Sequence, residues 1–298
     1  MEALQQVSLA TTLEAAEAVG IILERIFGQA PSVYQHPEQS GPVISIYPPA
    51  KQRITAAQRR QLAGELEALE SCGVPVGDGE LKVKPLGRED WVDSWKRHFK
   101  PLNIRGKILV RPDGIRAKAQ PGQKLVVLNP GLSFGTGQHA TTCYCLEQMV
   151  ARRVRSPQSL LDVGTGSGIL AIAAAKLGYA PVKAFDFDSV AVQVARDNAK
   201  RNRVPEKIRL STGDINKMSR RPRVRYDMVC ANLLHDLLKA NAEVLIARVK
   251  PKGYLLLAGI LEEQFDSLRD VFEATGMRLR HSKRQGEWRS GTFVHAGW

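Results

Sequence analysis

A buried strand that runs into a glycine-rich turn constrains this chain more than any other segment. Residues 160–163 read Leu-Leu-Asp-Val, and glycine follows at positions 164, 166 and 168, before an apolar helical stretch over 169–177. Glycine lets the backbone turn tightly and approach a ligand without a Cβ in the way. The following helix directs its N-terminus at that ligand. The segment predicts an open α/β sheet that binds a ligand at the carboxyl ends of its strands.

Strand and helix patterns alternate along the chain after residue 103. The expected strands are 108–111, 125–128, 160–163, 182–185, 208–211, 228–231 and 254–258, and the expected helices are 139–152, 169–177, 190–202 and 233–249. Residues 277–283 and 292–295 are expected to add an antiparallel pair. This order predicts a mainly parallel, doubly wound, Rossmann-like sheet with helices on both faces.

The first 86 residues have a different pattern. Strands are expected over 3–10, 32–34, 43–47 and 81–86, and helices over 13–27 and 55–69, the second starting at a Thr55 cap. The order β-α-β-β-α-β is that of a ferredoxin-like α+β domain. An amphipathic stretch with Trp91, Trp95 and Phe99 at helical spacing follows. We therefore expect a small domain over 1–86, a linker helix over 87–102 and a larger α/β domain over 103–298.

The charge is divided unevenly between these parts. The chain holds 43 Lys and Arg against 30 Asp and Glu, a net charge of +13. Residues 1–86 hold 7 basic and 10 acidic residues, which leaves 36 and 20, or +16, for the remainder. A basic catalytic half favours nucleic acid, or a protein embedded in it, and equally fits a solvated basic surface. The acidic first domain suits a basic protein better than it suits phosphate.

Other classes of protein are disfavoured. No apolar run is long enough to span a bilayer, and the first residues lack the pattern of a secretory signal, so the cytoplasm is the expected location. The four cysteines, Cys72, Cys143, Cys145 and Cys230, lack the spacing of a metal site. We expect no metal and four reduced thiols that pack as small hydrophobes.

The residues around the glycines indicate the ligand. Their spacing is G-x-G-x-G, whereas a dinucleotide pyrophosphate site is typically G-x-G-x-x-G. Asp162 lies just before Gly164, and its charge would repel a pyrophosphate. A carboxylate suits a ligand with an ammonium group, such as the methionine end of S-adenosylmethionine. Such loops also serve merely to pack a helix on a strand, but we interpret Asp162, Gly164, Gly166 and Gly168 as cofactor contacts.

Two carboxylates follow the next two strands. Asp186 ends the strand after the glycine turn, where it can accept hydrogen bonds from both ribose hydroxyls. Its alternative role is a helix cap, which Asp188 could fill instead. Asp214 follows the third strand and could meet the adenine amino group, although capping explains it nearly as well.

Asn232 ends the fourth strand, beside the expected sulfonium methyl group. A carboxamide oxygen there can hold and orient an attacking amine. Methyl transfer needs a neutral nitrogen, whereas a free lysine has a pKa of about 10.4. Desolvation beside a cationic sulfonium lowers that pKa. Catalysis would then depend on in-line positioning more than on a strong base.

Several motifs, taken together, closely resemble those of the bacterial ribosomal protein L11 methyltransferases. The resemblance runs from about Trp91 to Trp288. The motifs are Phe134-Gly-Thr-Gly-Gln-His139, the glycine turn, Asp186-Phe-Asp188, Arg196-Asp-Asn-Ala-Lys-Arg-Asn202 and Ala231-Asn-Leu233. The Phe-Gly-Thr-Gly-x-His block is specific to this group within a very large superfamily. The first domain agrees in architecture more than in residues.

The resemblance implies a ferredoxin-like substrate-recognition domain, a linker helix and a class I catalytic domain that binds S-adenosylmethionine. It implies methylation of lysine and N-terminal amino groups of one ribosomal protein. Cofactor contacts would fall on Thr142, Gly164, Asp186 and Asn232. The loop 134–139 would close over the methionine end, and its Phe134 and Thr136 join Asn232 as candidate catalytic residues. We expect a monomer that needs neither a membrane nor direct contact with nucleic acid.

Three positions depart from the family pattern, since Asn129, Gln138 and Ala140 replace the usual Asp, Thr and Pro. The first domain would decide the substrate, and its residue-level match is thin, so a paralogue that methylates lysine on another protein stays open. So does an RNA methyltransferase, whose best basic cluster is Arg220–Arg225, although this segment also fits an exposed loop. A cofactor-binding module without activity is the third alternative. His235 fits a helix surface better than a catalytic role.

Overall fold

The structure is a computed structural model that describes residues 4–29, 31–35, 41–49, 51–86, 101–129 and 140–298. The chain divides into two compact units, Met1–Arg97 and His98–Trp298. Most of the predicted linker helix, with its aromatic residues, lies outside the described residues. The last residue of that prediction, Leu102, begins a strand instead.

The first unit has the predicted order of elements. These are β1 (Leu4–Ala10), α1 (Ala16–Phe27), β2 (Ser32–Gln35), β3 (Pro42–Ile46), α2 (Ala56–Ser71) and β4 (Leu81–Leu86). The strands form an antiparallel sheet in the order β2-β3-β1-β4. This is the ferredoxin-like arrangement, and the prediction of it is confirmed.

Alternating apolar side chains build the core of this unit. Val7 and Leu9 of β1 lie opposite Ile46 and Ile44 of β3, and all four are fully buried. Because side chains alternate between the two faces of a strand, this pattern buries one face of the sheet under the helices.

Helix α2 begins where the sequence predicts it. The Thr55 hydroxyl accepts a hydrogen bond from the Gln58 backbone at 3.1 Å, and the Gln58 side chain accepts one from the Thr55 backbone at 3.0 Å. This reciprocal pair satisfies two N–H groups at the helix terminus.

The second unit contains the doubly wound sheet. Its elements are β5 (Leu102–Ile104), β6 (Ile108–Pro112), β7 (Lys124–Leu128), α3 (Ala140–Ala151), β8 (Leu160–Val163), α4 (Ile169–Leu177), β9 (Val182–Asp186), α5 (Ser189–Arg201), β10 (Ile208–Thr212), β11 (Tyr226–Asn232), α6 (His235–Ala240), α7 (Ala242–Ile246), β12 (Val249–Leu261), α8 (Glu262–Ala274), β13 (Met277–Gln285) and β14 (Trp288–His295). Seven strands pair in the order β10-β9-β8-β11-β12-β14-β13. The first five are parallel, and β14 and β13 are antiparallel to their neighbours, as predicted for the tail.

The chain order reverses beside β8. Strands β9 and β10 follow on one side of β8, and β11 and β12 lie on the other. Ligands of such sheets bind at the carboxyl ends of the strands next to this reversal. The topology thus brings the ends of β8, β9, β10 and β11 to a single edge of the sheet.

A second, three-stranded sheet precedes the main one. Strand β5 pairs antiparallel with β6, and β6 pairs parallel with β7. Asn202, at the end of α5, joins this sheet to that helix, since its side chain donates to the Val127 carbonyl at 2.6 Å and accepts from the Val127 N–H at 2.8 Å. Asn198 likewise accepts from the Asn129 backbone at 2.9 Å. Both asparagine side chains belong to buried residues.

The prediction of one helix over 233–249 is wrong. The structure has two short helices, α6 and α7, and β12 begins at Val249. The break falls at Asn241, whose side chain donates to the Leu237 carbonyl at 3.0 Å and to the Asn216 side chain at 2.9 Å. An apolar pattern that continues across such a break does not reveal it.

Helix α8 and strand β5 were not predicted. In α8, Phe265, Leu268 and Phe272 recur at helical spacing and are fully buried, so the signal for this helix is present in the sequence. Strand β5 is only three residues long and carries little pattern. None of the helices in the described ranges is long and apolar enough to cross a membrane.

The cysteines divide by position. Cys145 and Cys230 are buried and Cys143 is half-buried, as expected for small apolar side chains. Cys72 is exposed, so the prediction that all four pack inside is wrong for this residue, which lies just past the end of α2. Within the described part of the chain, no disulfide joins any of the four cysteines, and side chains do not gather into a metal-binding group.

We predict that Asn202→Leu destabilises the protein by about 2 kcal/mol, because it leaves the half-buried N–H and C=O of Val127 without their side-chain partner. Urea unfolding of the cofactor-free protein measures this value. Arg201→Gln is the matched control, since Arg201 pairs with Asp113 at the surface and such pairs contribute at most about 1 kcal/mol. Equal effects of the two changes would contradict the bridging role of Asn202.

Candidate active site

A cleft of about 650 Å³ opens at the carboxyl ends of the parallel strands. It lies among the ends of β8, β9 and β10, the turn after β11 and helix α6. Its described lining is Val163, Gly164, Phe185, Asp186, Phe187, Gly213, Asp214, Ile215, Asn216, Leu233 and Leu237. Of the predicted cofactor contacts, Gly164, Asp186 and Asp214 line it directly.

Gly164 begins the turn in a left-handed conformation, with φ of 72°. Its N–H and that of Thr165 both donate to the Phe185 carbonyl at 3.0 Å. A Cβ at position 164 would collide with a methyl carbon of Leu233. Both the backbone conformation and the close neighbour therefore require glycine.

Asp162 lies beneath the turn rather than in the cleft lining. It is 1% exposed, and it accepts hydrogen bonds from the Thr165 hydroxyl at 2.7 Å and from the Ala171 backbone N–H. Burial raises the pKa of Asp162 to about 6, although these hydrogen bonds favour its ionised form. In the structure this carboxylate stabilises the glycine turn from within, and its contact with a cofactor ammonium group stays a prediction.

Asp186 closes the turn from the side of β9. One carboxylate oxygen accepts from the Gly166 N–H at 2.8 Å and the other from the Asp188 N–H at 3.1 Å. Each oxygen keeps a further lone pair for a ribose hydroxyl. The helix cap falls to Asp188, which accepts from the Val190 N–H at 2.8 Å. The alternative that Asp186 merely caps α5 is therefore not needed.

Asp214 combines the two roles considered for it. It lines the cleft, and one oxygen accepts from the Asn216 N–H at 2.9 Å, where a short 3₁₀ helix begins. Its contact with adenine stays a prediction.

Asn232 ends β11 beside Thr142 of α3. Its side-chain nitrogen lies 3.4 Å from the Thr142 hydroxyl. Its side-chain oxygen is buried and has no hydrogen-bond partner among the residues that the structure describes. Gly259 of β12 leaves room for this oxygen, because a Cβ there would lie 2.9 Å from it. A buried acceptor without a donor is costly, so this oxygen fits a donor supplied by a ligand.

The remaining predicted residues have different positions. Phe134 and Thr136, with the rest of the loop 134–139, lie outside the described residues. Gly166 lies in the turn but not in the cleft lining. At Gly168, a Cβ would lie 2.9 Å from the Cβ of Ala195, so this glycine lets α4 and α5 pack closely.

His235 begins α6 and does not line the cleft. Its ring nitrogens lie 2.8 Å from Asp236 and 3.0 Å from the Ser267 hydroxyl of α8, so it joins the two helices. The interpretation of this residue as structural agrees with these contacts.

Sequence reasoning missed the apolar lining. Phe187 lies between two aspartates, is 77% exposed and borders the cleft, which suits it to cover a flat ring. The sequence signal for Phe187 was available, since a large apolar residue stands between two carboxylates at the end of a strand. The sequence contains no comparable signal for Leu233 and Leu237, because only the turn of the chain after β11 directs these side chains toward the cleft.

A family model described as Ribosomal protein L11 methyltransferase (PrmA) matches residues 3–295. The chain belongs to the ribosomal protein L11 methyltransferase family. It is an S-adenosylmethionine-dependent methyltransferase with the class I fold.

Relatives and a solved structure agree with this family. The chain is 36% identical over 253 residues to the ribosomal protein L11 methyltransferase of Streptococcus thermophilus strain CNRZ 1066, covering 84% of this chain and 77% of that protein. It is 33% identical over 313 residues to the protein of that name from Streptococcus equi subsp. zooepidemicus, covering 98% and 96%. The crystal structure of ribosomal protein L11 methylase from Lactobacillus delbrueckii subsp. bulgaricus matches with a TM-score of 0.59 and 26% identity, over 65% of this chain and 98% of that one.

We predict that Gly164→Ala weakens S-adenosylmethionine binding at least tenfold, because the new methyl group meets Leu233 and a left-handed alanine costs about 1–2 kcal/mol. Calorimetric titration measures the affinity. The pair Gly164→Ala/Leu233→Ala should regain part of the loss. Gly64→Ala on α2, where a Cβ would meet nothing within 4 Å, is the control. Unchanged binding by Gly164→Ala would contradict the assignment of this turn.

We predict that the stability of the cofactor-free protein depends on pH through Asp162. Because the folded pKa of about 6 exceeds the ordinary value of 3.8, the buried carboxyl is favourable below pH 3.8 and becomes unfavourable as pH rises through 6. Asp162→Asn removes this titration. The free energy of unfolding of the variant minus that of the native protein should therefore rise by about 2.4 kcal/mol between pH 4 and pH 7.5. Urea unfolding at both values checks this, and a constant difference would count against it.

Proposed function

We propose that this protein transfers methyl groups from S-adenosylmethionine to lysine side chains, the N-terminal amino group, or both, of ribosomal protein L11. The observation that carries the proposal is the buried amide oxygen of Asn232, which has no partner among the described residues and lies beside the cofactor cleft. The relatives' name supplies the substrate. A ribosomal protein substrate also favours action in the cytoplasm.

The residues of the cleft fit the cofactor. Gly164 leaves its backbone uncovered in a place where a Cβ would collide with Leu233. Asp186 and Asp214 provide acceptors for hydroxyl and amino groups. The apolar side chains Phe187 and Leu237 can enclose an adenine ring between them. When bound, S-adenosylmethionine supplies an electrophilic methyl group on a sulfonium.

Asn232 would act on the incoming amine. Its oxygen can accept one N–H of a neutral amino group and so direct the nitrogen lone pair toward the methyl group. An amide does not favour the ammonium form as a carboxylate would, so it leaves the nucleophile unprotonated. The proton would leave to solvent, and the rate would come mainly from positioning.

We propose that the first unit recognises the substrate. Residues 1–86 carry a net charge of −3 against +16 for the remainder, which favours a basic protein at this domain. The boundaries 1–86, 87–102 and 103–298 remain our proposal for substrate domain, linker and catalytic domain. We further propose a monomer.

The basic segment 220–225 does not favour RNA as the methyl acceptor. Its arginines are exposed and precede Tyr226, at the amino end of β11, whereas the cleft lies at the carboxyl end. A strand of seven residues separates the two by about 20 Å. Arg220 is also paired with Glu243 at 2.8 Å.

We predict that Asn232→Ala lowers methyl transfer to purified L11 by about 100-fold while S-adenosylmethionine affinity changes less than about threefold. Transfer of labelled methyl groups and mass spectrometry of L11 measure the first, and calorimetry the second. Gln193→Ala on the surface of α5 is the control. Asn232→Asp should move the pH profile of transfer to higher pH, because a carboxylate stabilises the ammonium form of the substrate. Full activity of Asn232→Ala, or labelling only of other proteins, would overturn the proposal.

A further inference from the structure

A second cleft lies away from the active site, between helix α5 and the edge strand β10. It is an open cleft of about 760 Å³, and its described lining is Arg196, Ala199, Lys200, Pro205, Ile208, Arg209 and Leu210. Three of these residues are basic, none is acidic, and the rest form an apolar floor. Among the strands that the structure describes, β10 pairs with β9 alone and forms the edge of the sheet. We call this feature the basic groove.

The basic groove continues along one face of α5. Arg196 and Lys200 are four residues apart, so they project from the same side of the helix, and Arg203 follows two residues after its end. Lys207 precedes β10, and with Arg209 it extends the row onto the edge strand. Residues 196–210 contain six basic and two acidic residues, Asp197 and Glu206.

These cations have few counterions. Lys200 lies 3.5 Å from Asp197, and Arg201 pairs outward with Asp113. In the described parts of the chain, Arg203 and Arg209 form no ion pair, and Arg196 makes only a 3.4 Å contact with the Leu210 carbonyl. A row of unneutralised like charges repels itself and is relieved by a bound polyanion.

Two further observations extend the cluster toward the amino ends of the strands. Burial, followed by the nearby charges of Arg203, Lys124 and Lys207, holds the pKa of Lys176 below its ordinary value. Arg203 itself has φ of 60° at the end of α5, where its N–H donates to the Lys200 carbonyl. Glycine is the usual residue in this left-handed position, and the chain places an arginine there instead.

We propose that the basic groove binds the phosphodiester backbone of duplex RNA and docks the enzyme on RNA while the active site faces its protein substrate. Arginine and lysine in a row match regularly spaced phosphates. The described lining of the groove contains no aromatic side chain on which single-stranded bases could stack. The choice of RNA over other polyanions rests on the proposed function, because a ribosomal protein substrate is found beside RNA.

The test uses the full chain and a fluorescent RNA duplex of about 20 base pairs of mixed sequence. Anisotropy gives the affinity from about 50 to 200 mM NaCl. The variant Arg196→Gln/Arg203→Gln/Arg209→Gln should weaken binding at least tenfold and reduce the steepness of the log–log salt dependence by about 3. The matched control, Arg221→Gln/Arg223→Gln/Arg225→Gln, removes the same charge from another exposed segment and should change the affinity less than about twofold.

Several results would overturn this inference. They are equal weakening by both triple variants, no weakening by the groove variant, or tighter groove-dependent binding of polyglutamate, single-stranded RNA or anionic phosphatidylserine vesicles than of the duplex. The groove variant should methylate isolated L11 at the native rate. If the native protein methylates L11 but does not bind the duplex, only the RNA-binding role of the groove is rejected. If it binds the duplex but does not methylate L11, only the proposed function is rejected.

Discussion

The hydrogen bonds between the glycine turn and the end of β9 hold the cofactor side of the active site in place. Two consecutive N–H groups of the turn donate to the Phe185 carbonyl at 3.0 Å, and the next donates to the Asp186 carboxylate at 2.8 Å. Three backbone donors that would otherwise be unpaired near the interior are thereby satisfied. The same bonds fix Gly164 and Asp186 relative to each other, although 22 residues separate them in sequence. Asp162 completes this arrangement from below through the Thr165 hydroxyl. A ligand therefore meets a surface that is already organised, which reduces the entropy lost on binding.

The chemistry on the other side of the cleft depends on how closely β11 and β12 approach. Asn232 pairs in register with Ala258, and the next residue of β12 is Gly259. A side chain at position 259 would collide with both the Asn232 oxygen and the Leu233 carbonyl, at 2.9 Å and 2.6 Å. The bare Cα therefore lets the chain turn after Asn232 and bring Leu233 back over Gly164. The proposed cofactor and amine sites are thus linked through one leucine, since Leu233 lies against the glycine turn and directly follows Asn232.

Much of this site could be predicted from the sequence because parallel strands end at one edge. Once the strands were placed, Gly164, Asp186, Asp214 and Asn232 had to converge, and the structure brings them to one region. The predictions that failed concern features that depend on contacts between residues distant in sequence. The break in the predicted helix 233–249 comes from the bonds of Asn241 to Asn216, and the bracing position of Asp162 follows from the inward direction of its side chain. The basic groove was likewise hidden, since Arg196 and Arg209 lie 13 residues apart and meet only because α5 packs beside β10.

Strand β10 separates two surfaces of opposite character. Its carboxyl end leads to Asp214 in the cleft, and Lys207 precedes its amino end, next to the basic groove. A polyanion in the cleft would face the carboxylates of Asp186 and Asp214, whereas one in the groove would face arginine and lysine. Electrostatics therefore favours RNA at the groove and disfavours it as the group that receives the methyl. Because the strand is short and hydrogen-bonded along its length to β9, the distance between the two surfaces is fixed. An RNA held at the groove would set the orientation of the catalytic cleft without entering it.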